Sequence, residues 1–152
     1  HRAFAKYALG RDAKSRTFYE TVCPEDPCLV YFDIDVSRDD YLEACPGCTH
    51  EDFTSSVPDL ILSGTVRYVI KFMYDVYAIT LLPSSISVSS GTKDLKISYH
   101  VVLPYILRDG EARWEFKEYI MAYSDRGFHY CGMLVVDDAV YKRGTFFLRG
   151  LG

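Results

Sequence analysis

Hydrophobic and polar residues follow two different periods along this chain. Strict alternation over 29–36 and again over 96–103 predicts two strands, because successive side chains on a strand point to opposite faces. Apolar residues recur at helical spacing over 58–80 and over about 110–123, which predicts two amphipathic helices. A short alternation predicts a strand at 86–89, and shorter apolar stretches predict strands at 128–141 and 145–148.

The order of these elements is β-α-β-β-α-β, and the segment over 37–52 is predicted to be a polar loop. We expect Pro83 to stop the first helix and Pro104 to end the second long strand, because proline lacks a backbone N–H. This order predicts an α+β fold with an antiparallel-rich sheet and helices packed on one sheet face, as in the ferredoxin-like or RNA-recognition-motif (RRM) topology. The open sheet face is where such a fold would place a site.

Length and composition suit a single domain over residues 1–152, with about 1–20 as an N-terminal lead-in. Apolar residues make up 49% of the chain, and 13 tyrosines and 9 phenylalanines add bulk for a core. The formal charge of −4 argues against a broadly basic nucleic-acid binder, but it allows a local basic groove or an acidic site whose charge a metal offsets. His1 stands where a start methionine would, so we expect a fragment of a longer protein.

No run approaches the roughly 18 uninterrupted apolar residues of a transmembrane helix, so no membrane is expected among the partners. The odd count of five cysteines and the lack of a secretory signal predict an intracellular protein without a disulfide framework. Cys45 and Cys48, followed by His50, resemble a metal knuckle, and a structural zinc site needs four ligands. Cys23 or Cys28 could complete a Zn²⁺ site if the two loops converge; the alternative is free loop thiols.

Two acids stand on the strand predicted over 29–36. Its even-numbered positions are all apolar and share one face, whereas Asp33 and Asp35 share the other. Two neighbouring carboxylates repel each other, and a divalent cation between them would relieve that repulsion because hard cations prefer oxygen ligands. The alternative is a half-exposed edge strand with two solvated acids.

The strand predicted from residue 96 carries a row of polar side chains opposite its apolar face. Lys96, Ser98 and His100 project together, which makes a plausible phosphate cradle of a point charge, a hydroxyl and an imidazole. The alternative is an ordinary polar strand face. A catalytic role for the serine is disfavoured, because a nucleophilic serine usually sits on a tight turn.

A third acidic position follows the apolar run that ends at Val136. Asp137 and Asp138 stand side by side there, and strand parity alone does not decide which of them faces a site. Three acids beside a basic cradle satisfy the requirement of metal-assisted phosphoryl transfer, in which two cations about 4 Å apart clamp the attacking and leaving oxygens.

With these three motifs in order, the chain resembles the archaeo-eukaryotic primase superfamily, and within it the primase-polymerase type. The segment 31–35 reads Tyr-Phe-Asp-Ile-Asp and looks like the family's two acids on a strand. The segment 96–100 reads Lys-Ile-Ser-Tyr-His and looks like the family's Ser-x-His preceded by Lys. The segment 136–141 reads Val-Asp-Asp-Ala-Val-Tyr and is similar to the third motif in a register that selects Asp137. The resemblance covers roughly 17–150.

By that resemblance, Asp33, Asp35 and Asp137 would be the catalytic residues and would bind two Mg²⁺ or Mn²⁺ ions. The residues it implies for binding the incoming nucleotide are Lys96, Ser98, His100 and Arg149. The match departs from the family after the third motif, where Thr145 stands in place of an arginine and Arg149 is displaced by one position.

The resemblance implies a template-dependent nucleotidyltransferase, a DNA primase or primase-polymerase that makes or extends primers. Its partners would be a single-stranded DNA template, a primer, ribo- or deoxyribonucleoside triphosphates, and a helicase or single-strand-binding protein. Its location would be the nucleus or mitochondrion of a cell, or the host cell of a virus.

Two alternatives stay open. The first is an RRM-like nucleic-acid-binding module that stacks bases on Tyr31, Tyr99 and the Phe146–Phe147 pair. The second is a catalytically incomplete subunit of a replication enzyme. A nuclease built on the same acids would not need Lys96 and His100 to grip a triphosphate.

Overall fold

The computed structural model of the protein describes residues 19–124 and 127–149, which form a mixed α+β fold. The strands are β1 (Tyr19–Val22), β2 (Cys28–Ser37), β3 (Ser87–Ser90), β4 (Lys96–Leu107), β5 (His129–Tyr130), β6 (Met133–Leu134) and β7 (Phe146–Arg149). The α-helices are α1 (Arg38–Ala44), α2 (His50–Ser55), α3 (Val57–Tyr77) and α4 (Gly110–Ser124). The predicted lead-in lies largely outside the described residues. None of the helices that the structure describes is long and apolar enough to cross a membrane.

The central sheet is antiparallel and has the strand order β2-β4-β3. A further segment lies along the free edge of β2, where Val136 forms an antiparallel bridge with Ile34. The register of β2 against β4 sets Asp33 opposite His100 and Asp35 opposite Ser98. Strands β1 and β7 pair in a separate two-stranded sheet, and β5 and β6 form a hairpin.

The core lies between one face of the central sheet and the helices. The predicted alternation in β2 is confirmed, since the side chains buried on this face are Val30, Phe32, Ile34 and Val36. Phe32 packs against Phe72 of α3 and Phe116 of α4, with ring centroids 6.0 and 5.5 Å away. Burial of one such ring contributes about 1.5–3 kcal/mol, so this aromatic cluster fixes the helices on a single sheet face.

The segment predicted as a polar loop over 37–52 is instead largely helical. Ser37 caps α1 by accepting a hydrogen bond from the Asp40 amide, and Thr49 and Asp52 form a capping box at the start of α2. Each helix buries one aromatic residue, and the rings of Tyr41 and Phe53 pack 5.4 Å apart.

Two predicted end points were wrong. Helix α3 ends at Tyr77, before Pro83, because Ala78 adopts a left-handed conformation and donates its N–H to Met73 and Tyr74 carbonyls. Strand β4 continues through Pro104, because the register of β2 and β4 shifts between Leu29 and Tyr31 and leaves the proline out of the described pairing.

The single strand predicted over 128–141 is broken into three parts. Cys131 and Gly132 adopt positive φ angles of 50° and 83° and turn the β5–β6 hairpin. After the hairpin, Val136 forms the bridge to Ile34, and a 3₁₀ turn over Asp138–Val140 follows.

A disulfide bond joins Cys45, at the end of α1, to Cys131 at the hairpin turn. The prediction of a Zn²⁺ site at Cys45 and Cys48 was therefore wrong, because a disulfide sulfur has no thiolate to offer a metal. The expectation that disulfides are absent was wrong as well. Cys23, Cys28 and Cys48 are not disulfide-bonded.

Candidate metal centre

Three carboxylates from two distant parts of the chain meet on the face of β2 that points away from the helices. Asp33 and Asp35 project from β2, and Asp137 is delivered beside them by the segment along the edge of that strand. Two backbone hydrogen bonds fix this edge: the Asp137 N–H donates to the Asp33 carbonyl at 2.8 Å, and the Asp35 N–H donates to the Val135 carbonyl at 3.1 Å. One carboxylate oxygen from each acid lies within 4.8 Å of the others.

Local contacts separate the two neighbouring acids of the third motif. Asp137 caps the 3₁₀ turn, where its Oδ1 accepts a hydrogen bond of 2.9 Å from the Ala139 amide. Asp138 turns to the helix layer instead, with its Oδ2 2.8 Å from Lys117 Nζ on α4. Asp137 thus joins the acidic cluster while the charge of Asp138 is balanced elsewhere, in agreement with the register of the third motif.

The oxygen atoms of the cluster fit a divalent cation. Oδ1 of Asp33 and Oδ1 of Asp35 are shielded from solvent, and neither accepts a hydrogen bond from the described residues. A buried carboxylate oxygen without a donor costs about 1–3 kcal/mol or more. An all-oxygen site of this kind suits Mg²⁺ or Mn²⁺, and a bound cation would satisfy both orphaned atoms.

The predicted cradle lies directly beside the acids. Lys96 Nζ is 2.6 Å from Asp35 Oδ2, and His100 Nε2 is 3.2 Å from Asp33 Oδ1. Asp33 Oδ1 accepts no hydrogen bond from the residues that the structure describes, so this oxygen keeps its acceptor capacity. Ser98 is half-buried between Lys96 and His100 along β4, and its amide donates to Thr92 Oγ1 at 3.1 Å. The structure therefore brings together six of the seven predicted site residues.

The seventh, Arg149, belongs to another part of the fold. Its backbone pairs with that of Tyr19 in the β1–β7 sheet, which is separate from the sheet that carries the acids. The direction of its side chain is outside what the structure describes, and its predicted role in nucleotide binding stays a prediction.

Sequence reasoning missed two tyrosines that hold the third acid in place. The Tyr31 hydroxyl donates to the Val140 carbonyl at 2.9 Å, and the Tyr141 hydroxyl donates to the Tyr31 carbonyl. Their rings stack with centroids 5.1 Å apart. Burial raises the pKa of both hydroxyls, so both stay protonated and available as donors. The signal in the sequence was the position of each tyrosine beside an acidic motif.

An open cleft adjoins the acids. It has a volume of about 200 Å³ and is lined by Asp35, Val36, Asp40, Met133 and Leu134. The cleft therefore lies between the start of α1 and the β5–β6 hairpin, and a ligand in it would contact the acid that pairs with Lys96.

Comparison of the chain with the models of known protein families finds no matching family, and comparison with curated proteins finds no matching relative.

Proposed function

We propose that this protein is a template-dependent nucleotidyltransferase, a DNA primase or primase-polymerase of the archaeo-eukaryotic primase type. It would make or extend primers on single-stranded DNA from nucleoside triphosphates. The observation that carries the proposal is the convergence of Asp33, Asp35 and Asp137 within 4.8 Å, directly beside Lys96 and His100. Carboxylates that can bind a metal and basic side chains that can bind a triphosphate are the two requirements of phosphoryl transfer.

The strand order supports the proposal at the level of the fold. The edge segment at Val136, β2, β4 and β3 follow one another across the sheet, and the helices pack on one of its faces. This arrangement resembles the β-α-β-β-α-β plan of ferredoxin-like and RRM-like domains, and an RRM-like primase core is the finer form that we propose. The acids and the cradle occupy the face without helices.

The residues of the site would have separate roles in phosphoryl transfer. The three acids would hold the divalent cations, which when bound supply charge neutralisation at the phosphoryl group and a more acidic primer hydroxyl. Lys96 contributes a compact positive charge to the triphosphate, and His100 contributes a ring N–H donor. Ser98 adds a neutral hydrogen bond. Together they would orient the α-phosphorus for in-line attack.

An RRM-like binding module is the second candidate, and two observations weigh against it. Tyr31 and Tyr99, which were to stack on bases, are both buried. Asp33 and Asp35 on the open sheet face would also repel a phosphate backbone unless a cation intervenes.

The test is nucleotide incorporation on primed and unprimed single-stranded DNA, with each nucleotide class and with Mg²⁺ or Mn²⁺. We expect extension products that chelator abolishes. Asp137→Asn should lower incorporation by on the order of a thousandfold, as loss of several kcal/mol of metal-derived stabilisation requires. Asp138→Asn is the matched control and should retain most activity.

Nucleotide incorporation by the Asp137→Asn protein at the wild-type rate would overturn the proposal. Binding of single-stranded DNA that is indifferent to chelator, with no incorporation under any condition, would favour the binding module instead.

A further inference from the structure

The two basic side chains of the cradle contact the acids that would bind the metal. Lys96 contacts Asp35 at 2.6 Å and His100 contacts Asp33 at 3.2 Å. Lys96 is thus the counter-ion of Asp35, although the proposed function requires Lys96 for the triphosphate and Asp35 for the metal ions. Each ligand therefore has to break the ion pair between Lys96 and Asp35 on entering.

Lys96 is the more exposed of these two basic side chains. The register sets it opposite Ser37, so its side chain reaches diagonally along the sheet to Asp35. Its side chain is 51% exposed and that of Asp35 is 26% exposed, so the ammonium group has open solvent beside it. His100 lies directly opposite Asp33, and its short side chain keeps it close to that acid.

We propose that Lys96 couples the metal site to the triphosphate site by exchange of its ion pair. This inference rests on the proposed function. In the free protein the ammonium group of Lys96 pairs with Asp35, where a metal ion would otherwise bind. When both ligands are present, Asp35 passes to the cation and Lys96 passes to a phosphate oxygen, with no change in the protonation of either side chain.

The exchange has a thermodynamic consequence. A cation that binds alone displaces Lys96 from Asp35, and a triphosphate that binds alone draws Lys96 away and leaves Asp35 without a partner. When both ligands bind, the ion pair is broken only once. Each ligand therefore strengthens the binding of the other through the protein. Lys96 therefore opposes binding of the cation alone and favours binding of the triphosphate.

The test measures Mn²⁺ binding to the nucleotide-free protein by titration calorimetry and by the paramagnetic resonance of free Mn²⁺. Lys96→Met should bind Mn²⁺ about threefold to fivefold more tightly than wild type, which is the range expected when a partly exposed ion pair no longer competes. The same variant should bind a non-reacting α,β-methylene nucleoside triphosphate more weakly, measured with Ca²⁺ present. Lys96→Arg should restore the weaker wild-type Mn²⁺ binding.

Lys93→Met is the matched control. Lys93 neighbours Lys96 through a backbone bridge and makes no ion pair with any acid that the structure describes. The Lys93→Met substitution removes the same charge from the same hairpin and should leave Mn²⁺ affinity within about twofold of wild type.

The outcomes separate this inference from the function on which it rests. Equal or weaker Mn²⁺ binding by Lys96→Met, in a protein whose Mn²⁺ binding is abolished by Asp33→Asn, would overturn the exchange while the metal centre stands. Absence of Mn²⁺ binding by the wild-type protein would overturn both. The expected Lys96→Met effect in a protein that incorporates no nucleotide would keep the exchange and remove the polymerase assignment.

Discussion

The hydroxyl of Tyr31 donates to the backbone of the loop that carries Tyr141, and the hydroxyl of Tyr141 donates to the backbone of Tyr31. This reciprocal pair spans 110 positions of the chain. It ties the strand of Asp33 and Asp35 to the turn that follows Asp137. The geometry of the acidic cluster therefore depends on two side chains that carry no charge.

Removal of the Tyr31 hydroxyl should make the position of Asp137 less fixed without creating a cavity in the core. Tyr31→Phe keeps the ring that stacks on Tyr141 but leaves the Val140 carbonyl without its donor. We expect a loss of about 1–2 kcal/mol in the free energy of unfolding and several-fold weaker Mn²⁺ binding. Urea denaturation and Mn²⁺ titration check the two effects.

Tyr99→Phe is the control for that substitution. Tyr99 is buried on the neighbouring strand, and its hydroxyl makes no hydrogen bond among the residues that the structure describes. A Tyr31→Phe protein that matches Tyr99→Phe in both stability and Mn²⁺ affinity would show that the pair does not position Asp137.

Alkaline pH should unfold the protein partly through Tyr141. Burial raises the pKa of this hydroxyl well above its usual value of 10, so above pH 10 the unfolded chain loses a proton that the folded chain retains. Stability from this group is complete below pH 10 and falls as pH rises further, by up to about 1.4 kcal/mol per pH unit. Between pH 9 and pH 11, Tyr141→Phe should lose about 1.4 kcal/mol less than wild type in urea denaturation. Parallel pH profiles for the two proteins would contradict this assignment.

Strand faces in the central sheet could be predicted because alternation there is strict. The apolar positions of β2 and β4 are buried, and Asp33, Asp35, Lys96 and His100 share the opposite face. Their pairing could not be predicted, because β2 and β4 are distant in the sequence and no hairpin turn sets the register of Asp33 with His100.

Other elements escaped prediction because their signals are short or local. Helices α1 and α2 bury one aromatic residue each, too few for helical periodicity to stand out, and only the caps at Ser37 and Thr49 mark them. The register of the third motif selected Asp137 over Asp138, but the salt bridge that holds Asp138 away from the cluster involves Lys117 of a distant helix and was not predicted. Contacts of that kind are a product of the fold and leave no pattern in the segment itself.

The disulfide between Cys45 and Cys131 should stabilise both the fold and the site. It spans 86 positions, and closing a loop of that length contributes about 2–5 kcal/mol. Cys131 stands at the exposed hairpin turn six residues before Asp137, so Cys131→Ser should also weaken Mn²⁺ binding. Urea denaturation with and without reductant measures the first effect, and Cys48→Ser, at an exposed thiol, is the control. A wild-type protein whose stability is indifferent to reductant would contradict the bond.

Arg113 anchors the ends of the chain segments that surround the site. Its side chain is fully buried in α4, and its guanidinium group donates to the carbonyls of Cys23, Asp26 and Lys142 at 2.9, 2.7 and 3.2 Å. These carbonyls belong to the turn before β2 and to the segment after Tyr141. One side chain therefore holds both flanks of the acidic cluster against the same helix.

Arg113→Met should cost about 3 kcal/mol or more in the free energy of unfolding, because it leaves several buried carbonyls without donors. Arg113→Lys should recover only part of that loss, since an ammonium group cannot reproduce the planar fork that reaches three acceptors. Arg108→Met is the matched control: its side chain is 87% exposed and pairs with the adjacent Asp109, so the change should cost less than about 0.5 kcal/mol. Urea denaturation of the three variants decides the matter. If Arg113→Met unfolds at the same urea concentration as Arg108→Met, the anchoring role assigned to Arg113 is wrong.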